Sequence, residues 1–370
     1  QTKDIYAQAV TKYNKAINAR ETSKYVDTQN EQFLKQIMFN RGHSAFDGGK
    51  YQEAEKYYKE ALDRYAKDNT AENYKPLAVE RLGDLNARLT AYDPAIRYYN
   101  QYLENAYENP DMRITMKLAD AYLKQFSWKE ARDWYQKIIN NDPMVSTDKQ
   151  GDKQTTPEKP IQKSPGFIAM KKMAESYLGE AITAENRQDK MKKALDVFKV
   201  MAEKYPMGRG KEESQYPADT ESIRTIGNIH FELAQFPQAV KSYDALLKMA
   251  PNYPRSGQII YRIGQSLFNM EKYEEAIERL SQITEESMEN PIQFADVLIL
   301  LGQAYQNRAN QFLQSGEEDL YTRYLEKAQR TYERVSLTKQ PQKIKEANVM
   351  SSAIQSILKS RAELLTSKTP

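Results

Sequence analysis

The chain has 370 residues, more than one hydrophobic core comfortably serves, which predicts two domains or one elongated array. Lys+Arg 54 against Asp+Glu 51 leaves a formal net charge of +3 with the signs interspersed, giving no electrostatic case for nucleic acid or an anionic membrane. Cysteine is absent and histidine occurs twice, which excludes disulfides, thiolate metal sites and cysteine nucleophiles.

In chain order, Tyr6, Ala9, Tyr13 and Ala16 place small and aromatic residues on one helical stripe. The same stripe then recurs behind a small anchor. Gly42 is followed by Tyr51, Ala54, Tyr58 and Ala61; Gly83 by Tyr92, Ala95, Tyr99 and Tyr102; Ala119 by Trp128, Ala131, Tyr135 and Ile138. Further on, Gly227 leads Phe236, Ala239, Tyr243 and Leu246, and Gly264 leads Tyr273, Ala276, Leu280 and Ile283. The offsets of 9, 12, 16 and 19 are identical in all five copies. They predict two helices per copy, with small residues where the axes approach and aromatics one and two turns on. Asp47-Gly48-Gly49-Lys50 and Phe236-Pro237 supply turn chemistry between the helices, and Pro143 and Pro251 follow second helices.

Two copies are stretched. Ala174 and Tyr177 pair with Ala194, Phe198 and Met201, and Gly302 and Tyr305 with Ala328, Tyr332 and Val335. Helix-favouring residues fill both insertions, which predicts longer helices rather than long loops. The first stripe is a second helix without its first, so the chain reads as starting in mid-repeat. Residue 1 is Gln, which reads as a processed or trimmed start with no visible signal peptide. Residues 144–166 carry three prolines and no aromatic and predict a linker; 207–220 predict a second break. The expected organisation is an N-terminal array over 1–143, the linker, a C-terminal array over 167–341, and an amphipathic capping helix over 342–370. No run approaches the ~20 apolar residues of a membrane span.

This pattern resembles the tetratricopeptide repeat family over roughly residues 1–341. The resemblance implies an all-α solenoid of helical hairpins, coiled as a right-handed superhelix, whose first helices line a concave groove. The spacing of 36–41 residues between compact anchors exceeds the family's typical ~34. Looser spacing, together with Asn252-Tyr253-Pro254-Arg255-Ser256, is similar to bacterial envelope members. That implies a periplasmic or outer-membrane-associated location, with a cytoplasmic one as the alternative.

No catalytic constellation is present. Gly208-Arg209-Gly210-Lys211 lacks the first Gly and the Ser/Thr of a phosphate loop. Acidic clusters such as Glu271, Glu274 and Glu275 read as solvated helix faces, and the basic residues near Lys171 and Lys190 are interleaved with acids and methionines. His230 occupies an inward position filled by tyrosine in other copies. The expectation is therefore no enzyme, no metal and no cofactor, no nucleic-acid partner and no membrane insertion. What remains is a groove. Residues one after, four after and three before each anchor should face it: Arg224, Asn228 and Phe231, then Tyr261, Gln265 and Phe268, then Ile299, Gln303 and Gln306, with His43 in the first copy. Rings and amides suit an extended peptide. The function predicted is a protein–protein interaction scaffold recruiting partners into an envelope complex. A peptide-binding sensor, or the interaction arm of a larger protein, is the alternative; oligomeric state is left open.

Overall fold

A computed structural model describes residues 2–22, 28–67, 74–104, 111–142, 161–206, 215–254, 256–288 and 293–367. Among them are sixteen α-helices and no strand, only an isolated bridge between Pro206 and Pro217. The chain divides into two compact units, Gln1–Val197 and Phe198–Pro370.

In the first unit, α1 (Thr2–Glu21) packs on α2 (Thr28–Asp47). Three antiparallel hairpins follow: α2 with α3 (Tyr51–Arg64), α4 (Lys75–Arg88) with α5 (Tyr92–Glu104), and α6 (Met112–Lys124) with α7 (Trp128–Asn140). Next, α8 (Pro165–Thr183) packs on α7. Helix α9 (Arg187–Lys204) contains the division between the units. Of the predicted linker, 143–160 lie outside the described residues, while Ile161–Lys163 form one 3-10 turn and Pro165 starts α8.

The second unit pairs α10 (Thr220–Glu232) with α11 (Phe236–Met249) and α12 (Ser256–Asn269) with α13 (Tyr273–Ser281). It then pairs α14 (Phe294–Gln314) with α15 (Glu318–Val335) and ends in α16 (Pro341–Ser367), which packs on α15. Helices α14 and α15 run 21 and 18 residues, so the extra sequence of that copy lengthens the helices. Most of the predicted second break, 207–214, lies outside the described residues; Asp219 closes it by accepting a hydrogen bond from Ser222 N at 2.9 Å as the cap of α10.

Six hairpins share one turn. Its middle residue is left-handed: Gly49 (φ 75), Thr90 (58), Phe126 (63), Ala234 (55), Glu271 (59) and Gly316 (77). The next N–H returns to the carbonyl five residues back, as from Lys50 to Ala45 at 2.9 Å and from Gln235 to His230 at 2.8 Å, a helix-ending motif that satisfies the last-turn carbonyls. Four copies place a residue with a Cβ there, at ~1 kcal/mol each, which the two packed helices outweigh. The small residues twelve after each anchor (Ala54, Ala95, Ala131, Ala239 and Ala276) are all 0% exposed between the helices.

Candidate interaction face

Each anchor sits under a side chain of its partner helix. A Cβ built on Gly42 would lie 2.6 Å from the Tyr58 ring, on Gly83 2.4 Å from Tyr99, on Gly227 2.5 Å from Tyr243, and on Gly302 2.5 Å from Tyr332. On Gly264 it would meet Leu280 at 2.5 Å. The same tyrosines reach across to the first helix through their hydroxyls. Tyr99 donates to Asp84 at 2.9 Å, Tyr135 to Asp120 at 2.7 Å and Tyr243 to Asn228 at 2.7 Å; Tyr58 and His43 share a hydrogen bond of 2.7 Å. In all four the partner of the hydroxyl stands one residue after the anchor. The last hairpin shifts the contact by a turn, Tyr332 donating to Gln306 at 3.3 Å. Burial pushes these five phenols above their ordinary pKa, and Asp84 and Asp120 push Tyr99 and Tyr135 further, so each hydroxyl keeps its proton.

A second contact joins successive repeats. The aromatic four after an anchor meets the aromatic nine after it edge to face, as in Phe46–Tyr51 (5.6 Å), Phe231–Phe236 (5.7 Å) and Phe268–Tyr273 (5.4 Å). The next repeat's residue two before the anchor then lays a guanidinium over that ring: Arg81 on Phe46 and Arg262 on Phe231, both at 4.6 Å. Where Ala87 and Leu123 replace the aromatic, the cation turns to acids. Lys117 bonds Glu80 and Asp84 at 2.7 Å, Arg113 bonds Glu80 with both nitrogens, and Lys172 bonds Asp120 at 2.8 Å. Burial opposes ionisation of Glu80, but the hydrogen bonds and charges of Arg113 and Lys117 outweigh it and hold the carboxyl below the usual range.

The predicted groove residues fall into three groups. Arg224, Asn228 and Phe231 on α10, Tyr261, Gln265 and Phe268 on α12, and Gln303 and Gln306 on α14 lie half-buried on the first helices of the second unit. Several are already engaged. Arg224 pairs with Glu221 at 2.6 Å, Asn228 and Gln306 accept from tyrosines, Phe231 lies under Arg262, and Gln265 bonds Tyr261 and accepts from Arg262 at 3.3 Å. Burial, then the charge of Asp296, raises the Tyr261 pKa. His43 sits in the first unit, bound to Tyr58, its imidazole pKa lowered by burial and by Arg81 against an opposing Asp47.

Ile299 leaves the set. It is 6% exposed inside the core that also holds Ala347 and Ile354, because α16 covers that part of α14 and Lys343 pairs with Asp296 at 2.8 Å. Phe268 and Gln303 keep the fewest internal ties of the set. Arg262, Lys117, Glu80 and Asp84 lie outside the expected groove set, although cations two before an anchor, with acids or aromatics one repeat earlier, are visible in the sequence.

Among the described residues, no group of three or more His, Cys, Asp or Glu could hold a metal ion, and no helix is long and apolar enough to cross a membrane.

A family model described as the tetratricopeptide repeat matches residues 39–110, 88–144 and 224–291. Among solved structures, the chain is similar to the C-terminal part of a TPR repeat-containing protein from Cytophaga hutchinsonii. The identity is 14%, the match covers 83% of this chain and 98% of that one, and the TM-score is 0.52. A tetratricopeptide repeat protein from Parabacteroides merdae matches at 13% identity over 87% of this chain and 98% of its own, with a TM-score of 0.40. At 14% identity the likeness to the Cytophaga hutchinsonii protein is one of fold. No curated protein matches in sequence.

Proposed function

We propose that the chain, which the tetratricopeptide repeat model matches over 39–144 and 224–291, is a non-catalytic scaffold whose first-helix face on α10, α12 and α14 holds an extended segment of a protein partner. Repeats of this kind mark a protein–protein interaction scaffold. The observation that carries the proposed site is the grouping of half-buried rings and amides, Phe231, Tyr261 and Phe268 with Gln265, Gln303 and Gln306, on three successive first helices. Rings give apolar contact and amides satisfy the donors and acceptors of an extended backbone. Peptides selected from a random display library on the full chain test this reading. Binding should fall at least tenfold in Phe268→Ala/Gln303→Ala, with helicity unchanged and melting lowered no further than the lost Phe268–Tyr273 contact accounts for. Equal affinity in that variant would place the binding elsewhere.

The finer reading puts the scaffold in a bacterial cell-envelope complex. Its support is the loose repeat spacing and the Asn252–Ser256 segment, both similar to envelope members of the family. Fractionation of cells expressing the natural reading frame tests it; recovery from the cytosol alone would overturn it.

A further inference from the structure

We propose, on the basis of the scaffold function above, that the segment held on α10, α12 and α14 is proline-rich and bound as a polyproline II helix, with an apolar side chain at every third residue.

Spacing selects the conformation. The groove residues recur once per repeat, in columns that run across the helices: Asn228, Gln265 and Gln303 one after the anchors, and Phe231 and Phe268 four after. Successive first helices lie at packing distance, since Arg262 of α12 reaches over Phe231 of α10 at 4.6 Å and α12 packs directly on α14. Axes of packed helices are ~8–10 Å apart, so the occupant must present equivalent side chains at about that interval. Polyproline II does so. It has three residues per turn and rises ~3.1 Å at each, which brings every third side chain to the same face after ~9 Å. A β-strand repeats its face every second residue, at ~6.7 Å, and falls out of step. An α-helix repeats at about seven residues, or ~10.5 Å, but its backbone groups are bonded to one another and leave a column of amides nothing to satisfy.

Hydrogen-bond polarity selects the composition. Asn228 Oδ1 accepts from Tyr243 at 2.7 Å, and Gln265 and Gln306 accept through Oε1 from Arg262 and Tyr332, both at 3.3 Å. With those oxygens engaged, the free capacity of the amides is chiefly N–H. Charge agrees. Helix α12 carries Arg262 and no acid, and among the described residues Arg262 pairs with no carboxylate. On the neighbouring first helices Glu221 is held by Arg224 and Asp296 by Lys343. The face thus offers donors and positive charge, complementary to an occupant rich in carbonyl oxygen and poor in N–H. A proline-rich segment is that occupant: proline has no N–H, and polyproline II leaves its own carbonyls unbonded. The half-buried rings Tyr261 and Phe268 complete the match, because proline-rich segments dock in aromatic-lined grooves in a conformation they already hold.

Three synthetic peptides test this by fluorescence anisotropy on the full chain, each with acetyl and amide ends so that no terminal charge contributes. One repeats Leu-Pro-Pro, a second has the same composition with its leucines two residues apart, and a third is an alanine-based helix with leucines seven apart. The first should bind roughly tenfold more tightly than either of the others, being alone in step with the repeats and already ordered. Gln303→Glu keeps the size of the side chain but sets an acceptor against the carbonyls. It should weaken that binding by roughly tenfold, with an unaltered circular dichroism spectrum. Equal or tighter binding of the second or third peptide, an unchanged affinity in Gln303→Glu, or no binding of the first would each overturn the proposal. Display-selected peptides keep the two readings apart. If they lose affinity in Phe268→Ala/Gln303→Ala while the Leu-Pro-Pro peptide does not bind, the face stands and the conformation assigned to its occupant falls. Selected peptides indifferent to that variant would remove the face itself.

Discussion

Replacing Gly227 with alanine sets two effects of opposite sign against each other. Alanine is the better helix former by ~1 kcal/mol, so propensity alone predicts a more stable protein. The added Cβ would lie 2.5 Å from Tyr243 Cε1, 2.7 Å from Cδ1 and 3.0 Å from Cζ, where carbon atoms rest at about 3.5–4.0 Å. Tyr243 is 0% exposed, so its ring has no open side into which to retreat. A shift of about 1 Å would also stretch the 2.7 Å hydrogen bond to Asn228 beyond useful length, at ~1 kcal/mol. Overpacking of this kind costs ~1–3 kcal/mol, so packing wins and a net loss of about 1–3 kcal/mol remains. Because repeat stacks lose structure locally, the assay is amide exchange across 220–249 beside urea unfolding. Protection should fall there first, and the midpoint should drop at constant slope. A neutral or stabilised Gly227→Ala, with Tyr243 still bonded to Asn228, would refute the close-approach reading of the anchor.

Ala131→Trp and Ala239→Trp, each at a position 0% exposed between helices, should cost at least ~1–3 kcal/mol, measured by urea unfolding. Glu80→Gln should flatten the acid limb of stability. The native carboxyl is held below its unfolded value, so its contribution is present above ~4.3 and lost as pH falls through the lower native pKa. Melting curves of both proteins from neutral pH to pH 3 check the sign; parallel curves would contradict it. His43 behaves alike in direction: its lowered pKa favours the neutral imidazole, so its contribution is present above ~6.5 and fades on acidification. Nuclear magnetic resonance titration should find its midpoint below that value, and His43→Asn should weaken the dependence of stability on pH in this range.

Small residues and aromatics at fixed offsets made the hairpins legible, because close helix approach admits few side chains at the anchor and at the alanine twelve residues on. The lengthened helices of the last hairpin were equally readable, since the inserted residues on either side of the Ser315-Gly316 turn favour helix. The partners of the residue after each anchor were harder to read. His43, Asp84, Asp120 and Asn228 each stand fifteen residues before a tyrosine, yet only the paired geometry shows that the hydroxyl reaches them. Considered singly, a polar residue on a first helix faces the groove; considered with its tyrosine, it ties the hairpin together. Ile299 was misplaced for a related reason. Its offset matches Arg224 and Tyr261, but the packing of α16 closes that face, and nothing in the local pattern of α14 announces a neighbour more than forty residues ahead.

The central claim is that a partner lies along the first-helix face of the second unit. A photo-crosslinking residue at Gln303, compared with one at the solvent-facing Glu278 on α13, tests it with a display-selected peptide as ligand. The account predicts crosslinking at position 303, suppressed by excess unlabelled peptide, and none at position 278. Crosslinking at position 278 alone would contradict it.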